Sequence, residues 1–221
     1  MTESNKNHIL SVKMKINAQI LSFLQKKGAS QKGIFTTSDL HILFKTSTRE
    51  DLYQKIKPFL LSSILTPFCR GYYVLENFSL EQLSQRICPH SVVSFGNVLA
   101  KELVIGSVPK MTVYATKMGP SRIYASPTQG TIVHLGFQSA GSQNLLNLGV
   151  SWKEGVLYTD REKAFLDTLY FYQSGQTFSF NIYSDINVSI LDSKKVEKYL
   201  KNYHNPKFKT FVKGILYGQN T

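Results

Sequence analysis

Apolar residues recur along this chain at two periods, and the two periods divide it into helices and strands. Ile16, Ile20, Leu21, Phe23 and Leu24 predict a first amphipathic helix that Gly28 is placed to stop. In GIFTTSDL, Thr37 or Ser38 can cap a short second helix through Leu40, Leu43 and Phe44. Lys45-Thr46-Ser47 reads as a turn. A third helix opens at Thr48-Arg49-Glu50-Asp51, with Ser47 or Thr48 as cap and acids in the first turn, where the helix dipole favours them. It buries Leu52, Ile56, Phe59 and Leu60, and Pro58 inside it predicts a kink or an early stop. Residues 64–68 and 72–75 then read as two short strands around Cys69-Arg70-Gly71, a tight hairpin with glycine where positive φ is needed.

The second half mixes the two periods. Residues 76–86 form a linking segment with one short helix (Leu80, Leu83, Ile87), and Pro89 breaks it. The domain boundary therefore falls there, giving domains 1–88 and 89–221. From Ser91, SVVSFGNVLAKELVIG predicts a helix with Phe95, Val98, Leu99 and Leu103 inward. Strands follow over 111–116, 122–125, 130–137 and 155–158, with a turn at 117–120 and a Gly/Ser/Asn loop over 140–147. The stretch 158–172, YTDREKAFLDTLYFY, is the central helix. Thr159 and Glu162 have capping-box spacing, Phe165, Leu166, Leu169 and Tyr172 face the core, and Arg161, Glu162 and Asp167 read as cap and surface. The tail starts a helix at Asp192-Ser193, with Val196, Tyr199, Leu200 and Tyr203 on one face and Lys194, Lys195, Lys198 and Lys201 on the other. Pro206 opens a last helix lined by Phe208, Phe211, Val212, Ile215 and Leu216. The fold class read from this order is α+β: three helices and a β-hairpin, then an α+β domain with a small sheet and a helical tail.

Charge changes the picture. The chain of 221 residues carries 26 basic and 14 acidic groups, a net +12. Residues 1–75 hold eleven basic and four acidic groups and residues 186–221 hold seven and two, while the middle is neutral. Basic ends around a neutral middle fit a polyanionic partner, or a lysine-rich surface that serves solubility. No apolar run approaches the roughly 20 residues that span a bilayer, and MTESNKNH lacks a signal-peptide core, so a cytoplasmic protein without membrane contact is expected. Two cysteines, Cys69 and Cys88, make no disulfide framework. Walker A, GxGxxG and GxSxG sequences are absent, and His8, His41, His90, His134 and His204 are scattered. Neither a cofactor, a metal site nor an enzymatic activity is supported.

Three helices followed by a β-hairpin is the order of a winged helix-turn-helix, in which the third helix enters the major groove and the wing touches the backbone or minor groove. The DNA-binding candidates are Lys45, Ser47, Thr48, Arg49, Tyr53, Gln54, Lys55 and Lys57 on the turn and third helix, with Arg70 on the wing. Arginine and glutamine reach base edges; lysines and hydroxyls hold phosphates. Lys194, Lys195, Lys198 and Lys201 are additional candidates. The same arrangement can instead serve protein contacts alone, its charges simply solvated.

Several segments occur in one order: FCRGYYVL, SVVSFGNVLAKELVIG, MTVYATK, YTDREKAFLDTLYF and ILDSKKVEKYLKNYHNPKFKTFVKGIL. That succession, over roughly residues 16–217, resembles the AbiEi family, the antitoxin half of type IV toxin–antitoxin systems. The resemblance implies an N-terminal winged helix that binds double-stranded operator DNA and represses its own operon. It implies a C-terminal domain, from Ser91 onward, that counteracts a nucleotidyltransferase-like toxin without a stable complex. Residues 47–57 and Arg70 would then be the DNA-reading set. If two copies bind an inverted repeat, dimerisation could occur only on DNA. A winged-helix regulator without a toxin partner is the alternative.

Overall fold

In a computed structural model of the chain, residues 18–30, 32–106, 110–138 and 142–218 are described. They fall into two units: 18–79 with 124–129, and 80–123 with 130–218. The division lies between Ser79 and Leu80, so the short helix expected in a linker counts with the second unit.

The first unit runs α1 (Ala18–Ser30), β1 (Ile34–Thr36), α2 (Thr37–Phe44), α3 (Arg49–Leu61), β2 (Thr66–Cys69) and β3 (Tyr72–Val74). Ile16 and the side chains of Ile20, Leu21 and Phe23 lie outside the described residues. The three strands form an antiparallel sheet in the order β1-β3-β2. β1 was hidden in the sequence: its residues Ile34 and Phe35 are buried, but three residues show no alternation. Leu24, Phe35, Leu40, Leu52, Ile56, Phe59 and Leu65 close one core. Helix α3 continues through Pro58 to Leu61. The proline sits in the last turn, so the hydrogen bond it forfeits does not end the helix.

From Leu80 the chain runs α4 (Leu80–Ile87), β4 (Val92–Val93), α5 (Phe95–Lys101), β5 (Thr112–Met118), β6 (Arg122–Ser126, whose residues from Tyr124 on count with the first unit), β7 (Gly130–Phe137), α6 (Gln143–Leu146), β8 (Val150–Lys153), β9 (Val156–Thr159), α7 (Arg161–Gln173), a 3-10 turn (Val188–Ile190), α8 (Ser193–Leu200) and α9 (Pro206–Gly218). The sheet order is β6-β7-β5-β4-β9-β8. β5 and β7 run parallel, from Thr112 opposite Thr131 to Met118 opposite Phe137. Beside their close approach, Gly136 has no room for a Cβ, because the Gly119 carbonyl occupies that place. The mixed α+β class read from the sequence is what the chain adopts.

Three expectations give way here. The segment from Ser91 begins as a strand: β-branched Val92 and Val93 pair with β5 and β9, and the helix starts only at Phe95, whose φ is 59°. Leu103 lies past the end of α5 at positive φ and is 76% exposed, while Val104 and Ile105 turn inward instead. Within the loop expected over 140–147, Ala140 and Gly141 lie outside the described residues. The remainder winds into α6, which buries Leu145 and Leu146.

Helix α7 packs against α5, α8 and α9 and is buried on nearly all sides, from Glu162 through Leu169. Its cap is Asp160, whose carboxylate accepts from the Lys163 amide at 2.9 Å; Thr159 belongs to β9. Tyr172, expected inward, is exposed. Glu162 and Asp167, expected on the surface, are inside.

His134 on β7 is fully buried, with Nε2 at 2.8 Å from the Ser84 hydroxyl of α4. Burial, and then the Lys117 ammonium, lower its imidazole to about 4. The unfolded chain takes up this proton near 6.5, before the folded chain does. The stability that the neutral ring contributes is therefore complete above pH 6.5 and disappears as pH falls toward 4, roughly 3 kcal/mol in all. Thermal unfolding from pH 7 to pH 4 should show this loss, and His134→Gln should flatten the slope. Equal slopes for both proteins would contradict the assignment.

Candidate nucleic-acid interface

The turn between α2 and α3 is fixed at both ends. Thr36, the last residue of β1, caps α2: its hydroxyl accepts from the Asp39 amide at 3.1 Å while Asp39 Oδ2 accepts from the Thr36 amide at 2.7 Å. The cap thus falls one residue before the expected Thr37 or Ser38, because the strand end supplies the extended backbone that a cap needs. Lys45 ends α2 in the left-handed region (φ 51°), and the Thr46 amide donates to the His41 carbonyl at 3.0 Å. Thr48 then caps α3, accepting from the Asp51 amide at 3.2 Å.

Along α3, Leu52, Ile56 and Phe59 point into the core, which turns the intervening positions outward. Lys45, Ser47, Thr48, Arg49, Tyr53, Gln54, Lys55 and Lys57 are all exposed, on this one turn and helix. Two of them carry structural duties as well. The Thr48 hydroxyl oxygen serves the cap, and Lys55 donates to the Phe44 carbonyl at 3.2 Å and lies 3.5 Å from Asp51. Lys55 is therefore a strut between α2 and α3 as much as a free cation.

Arg70 is exposed at the hairpin tip, beside Gly71 at φ +87°. The Gly71 carbonyl accepts from the Thr37 amide at 2.9 Å, which ties the tip to the start of α2. Cys69 is half-buried, and that burial raises its thiol above the ordinary range, away from reactivity.

In the second unit, Lys194, Lys198 and Lys201 are exposed, but Lys195 is engaged. Its ammonium lies 3.0 Å from both Asp160 and Glu162. Burial works against its charge, yet these two carboxylates outweigh it and hold the ammonium above the ordinary lysine value. Glu162 is held below the usual carboxylate range: burial opposes its charge, but Arg161, Lys195 and the Asp192 amide prevail. Tyr199 donates to Asp160 at 2.7 Å. This network joins the start of α7 to α8.

Sequence reasoning missed a second cluster. Lys163 and Asp167, one turn apart on α7, form an ion pair with both side chains at 0% exposure. The Ser94 hydroxyl donates to Asp167 Oδ2 at 2.7 Å, and Thr159 donates to Ser94 Oγ at 3.2 Å. On a helix read by periodicity alone, such an i,i+4 pair looks like a solvated one. Among the described residues, no group of three or more His, Cys, Asp or Glu could hold a metal ion, and no helix is long and apolar enough to cross a membrane.

These observations define the chain as a mixed α+β protein of two units, the first presenting an exposed helix face and hairpin tip that carry Arg49, Lys55, Lys57 and Arg70. The fold is similar to the crystal structure of the RV2827C protein from Mycobacterium tuberculosis, with a TM-score of 0.55 over 87% of this chain and 74% of that one, at 12% identity. At that identity the similarity concerns the fold alone. No family model and no curated protein matches the sequence.

Proposed function

We propose that this chain is an antitoxin of the AbiEi type. Its N-terminal unit is a winged helix-turn-helix that binds operator DNA and represses its own operon, and its C-terminal unit counteracts a nucleotidyltransferase-like toxin. The observation that carries the reading is the exposure of the whole candidate set on α3, the preceding turn and the hairpin tip. The order α1-β1-α2-α3-β2-β3, with the sheet arranged β1-β3-β2, supports a winged helix. The net +7 of residues 1–75 supports a polyanionic partner. The toxin partner rests on the family resemblance.

Two readouts test the two halves. A reporter driven by the chain's own upstream region should be repressed by the full chain and released by Arg49→Ala, Lys57→Ala and Arg70→Ala together. Co-expression with a neighbouring nucleotidyltransferase-like toxin should restore growth, and the triple variant should keep that rescue because its changes lie outside the C-terminal unit. Repression without rescue by any neighbouring candidate would leave a regulator and remove the antitoxin.

A further inference from the structure

The outward ridge of α3 is not basic at its head. At 3.6 residues per turn, Glu50, Gln54, Lys57 and Leu61 fall on one line, opposite Leu52, Ile56 and Phe59, and all four are exposed. The neighbouring acid is accounted for: Asp51 faces Lys55 at 3.5 Å and its amide serves the Thr48 cap. The Glu50 carboxylate makes no hydrogen bond or ion pair among the described residues. A free carboxylate there suits the helix dipole. It also opposes binding to any polyanion that meets this face, unless a base answers it.

The bases that can answer are limited. In the major groove a carboxylate accepts from the cytosine N4 amine, while glutamine pairs with adenine, donating to N7 and accepting from N6. The first turns of a recognition helix are the part that reaches base edges. Glu50 and Gln54 are one turn apart, a rise of roughly 6 Å against about 3.4 Å per base pair, so they meet pairs one or two steps apart.

We propose that Glu50 and Gln54 are the base-reading pair of α3: Glu50 selects a cytosine, and Gln54 selects an adenine one or two base pairs away. This rests on the DNA reading above and deepens it. Glu50 lowers affinity for every duplex and restores it only on the right one, so it supplies discrimination rather than strength. The exposed basic neighbours Arg49 and Lys57 supply the attraction to a polyanion that Glu50 opposes.

The test measures binding of the full chain to its upstream duplex and to duplexes in which each base pair is replaced in turn. Wild type should be selective at a C·G pair and an A·T pair one or two steps apart. Glu50→Ala should reduce discrimination at the C·G pair about 5- to 150-fold and bind a scrambled duplex more tightly. Gln54→Ala should reduce it at the A·T pair and leave the C·G pair alone. If Glu50→Ala tightens binding to all duplexes by one factor, with the position profile unchanged, the carboxylate only repels phosphate and the assignment is overturned. If wild type shows no selectivity on any duplex, the DNA reading fails with it, a result distinct from the uniform shift.

Discussion

Lys163→Met should destabilise the second unit by about 3–5 kcal/mol, because it leaves the Asp167 carboxylate buried without its cation. Both side chains are at 0% exposure, and burial acts against both charges: it raises Asp167 and lowers Lys163, with their mutual attraction opposing each shift. The Ser94 hydroxyl, at 2.7 Å, cannot replace a full positive charge. Lys163→Met combined with Asp167→Leu should return stability to within about 2 kcal/mol of wild type, since a buried pair and an apolar replacement of similar volume often come out nearly even. Denaturant unfolding of the single and double variants measures this. A neutral single variant would mean that the pair does not hold the fold.

DNA affinity should fall by about three orders of magnitude between roughly 50 and 200 mM salt. The physical cause is counterion release from roughly five phosphates, the scale set by Lys45, Arg49, Lys55, Lys57 and Arg70, the exposed cations on the turn, α3 and the hairpin tip. Lys57→Ala should lower the salt slope by about one contact. Lys55→Ala should also loosen the packing of α2 on α3, because Lys55 reaches the Phe44 carbonyl. A flat salt profile would mean that these cations meet no phosphate.

The sequence was readable where one face of an element is buried and the other is wet. Helix α3 shows this: Leu52, Ile56 and Phe59 mark the core side, and Thr48 marks the start. The hairpin was readable because Gly71 must take positive φ, and β7 because the β-branched and apolar residues of 130–137 read as a strand. Periodicity lost its meaning in α7, which is buried nearly all round, so Glu162 and Asp167 looked like cap and surface charge and Lys163 did not stand out. It also failed at Val92–Val93, a strand of two residues whose pairing partners, Thr116, Ala115 and Tyr158, are distant in the chain. β8 (Val150–Lys153) was missed because it is an edge strand, with Ser151, Trp152 and Lys153 exposed, and shows no apolar run.

The exposure of the candidate side chains was legible residue by residue, but which of them are engaged by neighbours was not. That Lys195 is neutralised by Asp160 and Glu162, and that Lys55 braces α2, are facts of distance. That the Glu50 carboxylate has no partner among the described residues is likewise a fact of distance.

The central claim is that the first unit reads a DNA sequence. Binding of the full chain to the duplex immediately upstream of its own gene, against a scrambled duplex at physiological salt, tests it most directly. Tight binding to the first alone, lost on Arg49→Ala, is the predicted result. Equal and weak binding to both would contradict the claim and reduce the basic charge of the first unit to a non-specific attraction.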